Sequence, residues 1–414
     1  MKTTEHKQLE QSRISLVTFA VKALEQLEKG DFSPTLLTFW GSKGMGKTTL
    51  LENMHWNFTK SHPNLSVKLL NVEGQNLDEI QDSLSRDASD GENLEINVLL
   101  LDNIDDLLRR SIDGEAFFEF EQEIILPLIE RSKTIIIATS QIELNQWRED
   151  DVRVRLVSTQ IPAWEENEVA AMAQKAGMDA NEVFALTFGQ PKAVSWLLEN
   201  QNLSAKELAG KAASYFLEGI PDEARDIARI ICLMPVFNAF VLQKMVNTDP
   251  SKPEVPYIQC LAWLKEYIRR GLVFWDVSIG SYRFTDSAVR RLLTRWVLND
   301  TPERYQEIQQ MAWEYFQEEA KGPGYLHLHL VSAVYHRAQT MRLQASRDVG
   351  ETIIKWVKDN VEDWQSARWS DVLVAWQSGA GEESVRQEIE HLIGVKNFSA
   401  IEAEIIKASQ MQAE

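Results

Sequence analysis

The chain has 414 residues, 44% hydrophobic and 25% charged, and its 43 basic against 62 acidic side chains give a formal net charge of −19. That is an ordinary globular mix with length for two to four domains, roughly one per 100–200 residues. Its acidity disfavours the whole chain as a binder of nucleic acid or anionic membrane. No apolar run reaches the roughly 18 residues of a membrane span, and the polar first 30 residues hold no signal-peptide core. Two cysteines, Cys232 and Cys260, make no disulfide framework; they suit a reducing cytoplasm and burial as small hydrophobes. Seven scattered histidines and two cysteines form no zinc pattern.

Residues 6–29 have helical spacing, with Ile14, Leu16, Phe19, Val21, Leu24 and Leu27 apolar, and Gly30 and Ser33-Pro34 end the helix. The apolar run 35–40 predicts a buried strand, Leu36–Trp40, and residues 49–56 predict a helix. Further strands are expected at Ser66–Val72, Val98–Leu101 and Thr134–Thr139. Short apolar runs separated by helical segments argue a parallel sheet covered on both faces. From residue 163 on strand signals nearly vanish. Residues 163–200 read as a small helical unit. Residues 215–300 read as helices with one hairpin, Leu272–Asp276 and Ser281–Phe284 around a turn at 278–280, which suggests a winged helix. Residues 303–414 read as all-helical with a break at Gly322-Pro323-Gly324. The expected organisation is an α/β P-loop NTPase domain with a parallel sheet over 1–160, a helical lid over 161–212, a winged-helix domain over 213–302 and an all-α, repeat-like domain over 303–414.

Between the first strand and its helix stands Gly41-Ser42-Lys43-Gly44-Met45-Gly46-Lys47-Thr48, a complete G-x-x-x-x-G-K-[ST] phosphate loop, with Thr49 following. Its glycines let successive N–H groups curl around a phosphate, and the helix start adds a positive dipole end. Lys47 is expected on the β- and γ-phosphates and Thr48 on Mg²⁺. ATP or ADP with Mg²⁺ is the expected ligand. Asn97–Asn103 is a matching Walker B strand, with Asp102 at its carboxyl end for the Mg²⁺ shell. The next residue, where such hydrolases usually carry Glu or Asp, is Asn103. An amide can orient water but is a poor proton acceptor, which predicts slow turnover. Asp105 is a candidate substitute base and Asp106 another; both also suit a helix N-terminus. Thr139, Ser140 and Gln141 sit where a γ-phosphate sensor would, and equally suit a plain strand end.

Four landmarks in order, GSKGMGKT, LLLDN, TIIIATSQ and Gly189-Gln190-Pro191, make the chain resemble the STAND family of signal-transduction NTPases over roughly residues 35–300. The segment Ile161–Glu168 (IPAWEENE) is similar to the family's entry to its helical lid. The resemblance implies that Pro191 packs near the adenine. It also implies that Asp286, in Phe284-Thr285-Asp286, sits in the family's Met-His-Asp motif near the ADP phosphates, although Thr285 replaces the His and Asp286 also suits a helix cap. Other departures are Asn103, Gln141 in place of an Arg, and the lack of a Gly-Arg-Glu motif before the loop. The family reading implies a cytoplasmic, slowly hydrolysing switch. Its nucleotide state would set domain arrangement, nucleotide-dependent homo-oligomerisation or the binding of a protein partner or effector on a separate chain, with no membrane involved.

The stretch 265–295 carries Lys265, Arg269, Arg270, Arg283, Arg290, Arg291 and Arg295. This basic face supports an alternative, a DNA-associated AAA+-like ATPase or transcription regulator; packing within the protein is favoured. Trp356, Trp364, Trp369 and Trp376 are expected in a helix-packing core, with a partner surface as the other reading.

Overall fold

The structure, a computed structural model, describes residues 11–30, 35–85, 96–110, 114–130, 134–247, 253–277, 279–321, 326–344, 348–361, 364, 368–381 and 383–413. The expected breaks at residues 33–34 and 322–324, and part of the 278–280 turn, lie outside them. By its internal contacts the chain divides into one unit of Met1–Leu203 with Arg269–Gly271 and a second of Ser204–Ile268 with Leu272–Glu414.

The first unit is built on a five-stranded parallel sheet in the order β2-β3-β4-β1-β5, formed by β1 (Leu36–Trp40), β2 (Ser66–Asn71), β3 (Ile96–Asp102), β4 (Ile135–Ser140) and β5 (Leu156–Gln160). The apolar runs explain the covering of both faces. Leu37, Phe39, Val98, Leu100, Ile135 and Ile137 point to one side, beneath α1 (Gln11–Glu28) and α2 (Lys47–Ser61). Their neighbours Leu36, Leu99, Leu101, Ile136 and Ala138 point to the other, beneath helices that include α3 (Leu77–Ser85), α4 (Asp106–Arg110), α5 (Glu115–Phe120), α6 (Leu126–Glu130) and α7 (Asp150–Arg155). Each such Leu or Ile contributes roughly 1.5–3 kcal/mol by leaving water. Four strands lie where the apolar runs place them. The fifth, β5, escapes sequence reading because Leu-Val-Ser-Thr-Gln at a sheet edge is only half-buried and shows no continuous apolar run.

Three short helices, α8 (Glu166–Lys175), α9 (Ala180–Thr187) and α10 (Pro191–Glu199), complete this unit around Val169, Ala173, Val183, Val194 and Leu197. Gly189 joins the last two. At φ +73°, a Cβ there would lie 2.0 Å from the Trp164 carbonyl oxygen, and the Gly189 carbonyl accepts from Trp164 N–H at 2.8 Å. Only glycine combines that left-handed turn with such a close backbone approach.

The second unit begins with α11 (Ala205–Phe216), so the division falls before the lid boundary expected at 212. Leu208, Ala209, Ala212, Ala213 and Phe216 give α11 an apolar face, which packs on α15 (Ser287–Asp300). Helices α12 (Asp222–Ile231), α13 (Ala239–Val246) and α14 (Tyr257–Arg269) come next, followed by the antiparallel hairpin of β6 (Val273–Asp276) and β7 (Ser281–Phe284). Beyond α15, α16 (Pro302–Glu319) packs on α17 (Leu326–Leu343), and α17 shares one apolar core with α18 (Val349–Val361), α19 (Trp369–Ser378), α20 (Glu383–Ile393) and α21 (Val395–Ala413). Trp364, Trp369 and Trp376 are buried in it, Trp356 packs against it, and Trp313, Trp356 and Trp364 form a chain of edge contacts at 4.9 and 5.5 Å. These tryptophans are core. Cys232 and Cys260 are buried free thiols, and burial pushes the Cys232 thiol up to about 12. Among the described residues no helix is long and apolar enough to cross a membrane.

Candidate nucleotide site

The phosphate loop leaves the carboxyl end of β1 and runs into α2, where the sheet's other strands also end. Gly44 and Gly46 hold φ of +84° and +81°, which side chains rarely tolerate. A Cβ at Gly41 would stand 3.4–3.5 Å from Ile161 and Met45. Lys47 is buried, 7% exposed, and its ammonium donates to the Gly41 and Ser42 carbonyls at 2.7 and 2.9 Å. The lysine is thus curled back over the loop that would hold a phosphate. Burial lowers its pKa to about 8, against the opposing pull of Asp105 and Asp102. The unfolded chain therefore binds more protons than the folded one between about pH 8 and 10.5, and this lysine makes stability rise with pH through that window.

Thr48 Oγ1 donates to Asp102 Oδ2 at 2.6 Å, so the two expected Mg²⁺ ligands meet at one point. Asp102 also accepts from the Thr139 hydroxyl. A hydroxyl and a carboxylate fit a hard cation that takes one or two protein oxygens and completes its shell with phosphate and water. Among the described residues no group of three or more His, Cys, Asp and Glu side chains could hold a metal unaided. When bound there, the ion would offset phosphate charge.

Asn103 adopts φ +60°, a left-handed conformation that Asn tolerates better than most residues. Its amide donates to Asn71 Oδ1 at 3.1 Å and lies 3.5 Å from Glu73 Oε2. Asp105 is only 1% exposed, accepts from Gln141 N–H at 3.1 Å and pairs with Arg109 at 3.4 Å. Burial raises its pKa, with Arg109 and Lys47 opposing. It reads as a strut beneath the loop rather than a base facing water. Asp106 is bonded by Gly74 N–H at 2.9 Å and by Arg110. Of the sensor candidates, Thr139 meets Asp102, Ser140 Oγ donates to Ile142 O at 2.5 Å, and Gln141 engages Asp105 through its backbone.

The Gly-Gln-Pro segment does reach the loop, through Gln190 rather than the proline. Fully buried Gln190 lies with its amide nitrogen 3.5 Å from Lys43 O and 3.9 Å from Met45 Sδ, while its oxygen caps α10 by accepting from Ala193 N–H at 2.8 Å. Pro191 is the buried first residue of α10. Asp286 lies in the second unit, where it caps α15 by accepting from Ala288 and Val289 N–H.

Arg13 carries no signal in a single sequence. It reaches from α1 to donate to Met45 O in the loop at 3.1 Å and to Pro162 O at 2.8 Å. Beside it, Ser12 donates through N–H and hydroxyl to Glu168 at the start of α8.

ATP binding near pH 8.5 is expected to take up a large fraction of a proton. Lys47, partly neutral when free, recharges against the phosphates, and the uptake fades toward pH 7. Calorimetry in two buffers of different ionisation enthalpy measures it; heats independent of buffer at pH 8.5 would contradict the geometry.

The family model for the bacterial DnaA ATPase domain matches residues 11–158, the segment that holds the sheet and loop. No curated protein was found to match the chain. Similar solved structures include an ORC2 protein of Aeropyrum pernix in ADPNP–ADP complexes, at 16% identity and TM-score 0.41, covering 75% of this chain and 96% of that one. A Walker-type ATPase of Pyrococcus abyssi is similar at 13% identity and TM-score 0.46, covering 68% and 95%. AMPPCP-bound DnaA of Aquifex aeolicus is similar at 15% identity and TM-score 0.31, covering 96% of each. The fold of residues 11–158 is that of an AAA+-type P-loop ATPase.

Proposed function

We propose that this chain is an ATP-binding, slowly hydrolysing switch of the STAND kind, whose nucleotide state controls assembly or the binding of a protein partner. The observation that carries the reading is the meeting of three parts at one loop. The phosphate loop supplies buried Lys47, Thr48 and Asp102 stand together as oxygen ligands, and the lid's Gln190 reaches Lys43 and Met45. A nucleotide seated on the loop would meet the lid, so its phosphate count can bias the lid's position. Such a switch works only through differential affinity; moving a population from 1:99 to 99:1 takes about 5.5 kcal/mol, to which a γ-phosphate and its ion can contribute substantially. Asn103 in place of an acid supports slow turnover. The hairpin of β6 and β7 after α14 supports the winged-helix assignment, and in this reading Pro191 and Asp286 sense the nucleotide.

A second reading, a DNA-associated AAA+ ATPase, is favoured by the family match, since DnaA is a replication initiation protein. The basic stretch speaks against it. Arg283 pairs with Asp276 at 2.8 Å, Arg290 and Arg291 share Glu388, and Arg295 is sufficiently buried that its pKa falls. Charges spent inside the protein release no counterions from DNA.

With ADP the protein is expected to be compact, and with a non-hydrolysable ATP analogue more open or oligomeric. Small-angle scattering and sedimentation read this out. Identical profiles would remove the switch, and DNA affinity that survives about 150 mM salt, well tighter than the 10⁻⁴–10⁻⁶ M of non-specific contacts, would favour the second reading.

A further inference from the structure

Asn103 occupies the place where such hydrolases usually carry a carboxylate, and four acids surround it. Asp102 is held by Thr48 and Thr139. Asp105 is buried against Arg109 and the Gln141 N–H. Asp106 is ion-paired with Arg110. Glu73 differs from all three. It is exposed, and among the described residues its carboxylate has no ion pair and one neighbour, the Asn103 amide at 3.5 Å.

The turn that carries Glu73 is built and fixed. β2 pairs with β3 so that Asn71 stands beside Asp102, and Val72 N–H donates to Asp102 O at 2.9 Å. The chain then turns at Gly74, φ +80°. Glu73 N–H donates to Asn71 Oδ1 at 3.0 Å and Gly74 N–H to Asp106 at 2.9 Å. Arg110 donates to Gln75 O at 2.8 Å and Val72 O at 3.2 Å. These bonds from α4 hold the turn at the carboxyl end of β3, the end of a parallel sheet where ligands bind.

We propose that Glu73 is the general base of ATP hydrolysis, standing on β2's exit turn in place of the acid absent at Asn103, with Asn103 orienting the same water. This rests on the reading of the loop as an ATP site. Glu73 accepts one proton from the water as the water oxygen bonds to the γ-phosphorus. The bond from that phosphorus to the β–γ bridging oxygen breaks, its electron pair stays on ADP, and the proton passes on to the released phosphate. The left-handed backbone at Asn103 adds a reason for the exchange of roles, because Asn accepts that conformation more readily than Glu.

The test uses the full chain, with ATP affinity measured by calorimetry and turnover measured separately. Glu73→Gln is expected to lower kcat about 100-fold, the lower range for losing general base catalysis, while Kd stays within about threefold. Glu73→Asp, which keeps a carboxylate on the same turn, is expected to restore part of the lost rate. Unchanged kcat in Glu73→Gln, or wild-type protein that binds ATP and never turns it over, would overturn the proposal and leave the ATP site intact. Wild-type protein that does not bind ATP would overturn the site and the base together.

Discussion

Lys47→Ala is expected to weaken ATP binding at least about 100-fold, since hydrogen bonds to charged groups are worth about 1.5–3 kcal/mol each and this lysine would make two or more to the phosphates. The substitution should spare the fold. Among the described residues Lys47 bonds to carbonyls of its own loop, and its burial as a cation costs stability rather than adding it. Lys43 is not expected to take over, since it stands at a variable position of the motif. Titration calorimetry with ATP, alongside thermal unfolding, separates the two effects. An affinity within threefold of wild type would remove the phosphate-loop assignment.

Glu388→Ala is expected to destabilise the second unit by about 3–5 kcal/mol, the usual result of removing one partner of a buried ion pair. Arg290 is fully buried on α15, and Glu388 on α20 is its carboxylate partner; Tyr335 on α17 donates to the same carboxylate at 3.1 Å. A guanidinium cannot neutralise itself by losing a proton, so no relaxation of charge softens the loss. For a unit of this size the thermal midpoint should fall by about 10 °C, at 2–4 °C per kcal/mol. The paired change of Arg290→Met with Glu388→Leu should recover much of it. A midpoint within about 2 °C of wild type in Glu388→Ala would show that the pair is not what ties these three helices.

Local signals in the sequence were strong where backbone conformation and burial coincide. The strands β1, β3 and β4 announce themselves because both faces are covered, β2 because its half-buried edge still carries the apolar Val67, Leu69 and Leu70, and the phosphate loop because glycine alone fits its turns. Asp102 follows from its place at a strand end. What stayed hidden depends on partners far along the chain. The charge of Arg290 is plain in the sequence, but its burial depends on Glu388, 98 residues later. Gln190 hides beside the more conspicuous Pro191. Glu73 looks like any polar turn residue until β2 and β3 are laid side by side. Asp105, by contrast, looks like a base in sequence and is walled in by Arg109 and Gln141 in space.

Arg13 gives the phosphate loop a mechanical character. One guanidinium grips the loop at Met45 O and the segment leading into α8 at Pro162 O, while Ser12 ties the same helix to Glu168. The loop cannot flex away from its resting shape without breaking a buried charged hydrogen bond, at a cost of about 1.5–3 kcal/mol. Its ordering entropy is therefore met during folding rather than when the ligand arrives. A rigid cradle of this kind wastes little affinity on immobilising itself, so a strained or truncated α1 would show first as weaker nucleotide retention, in a protein that still folds.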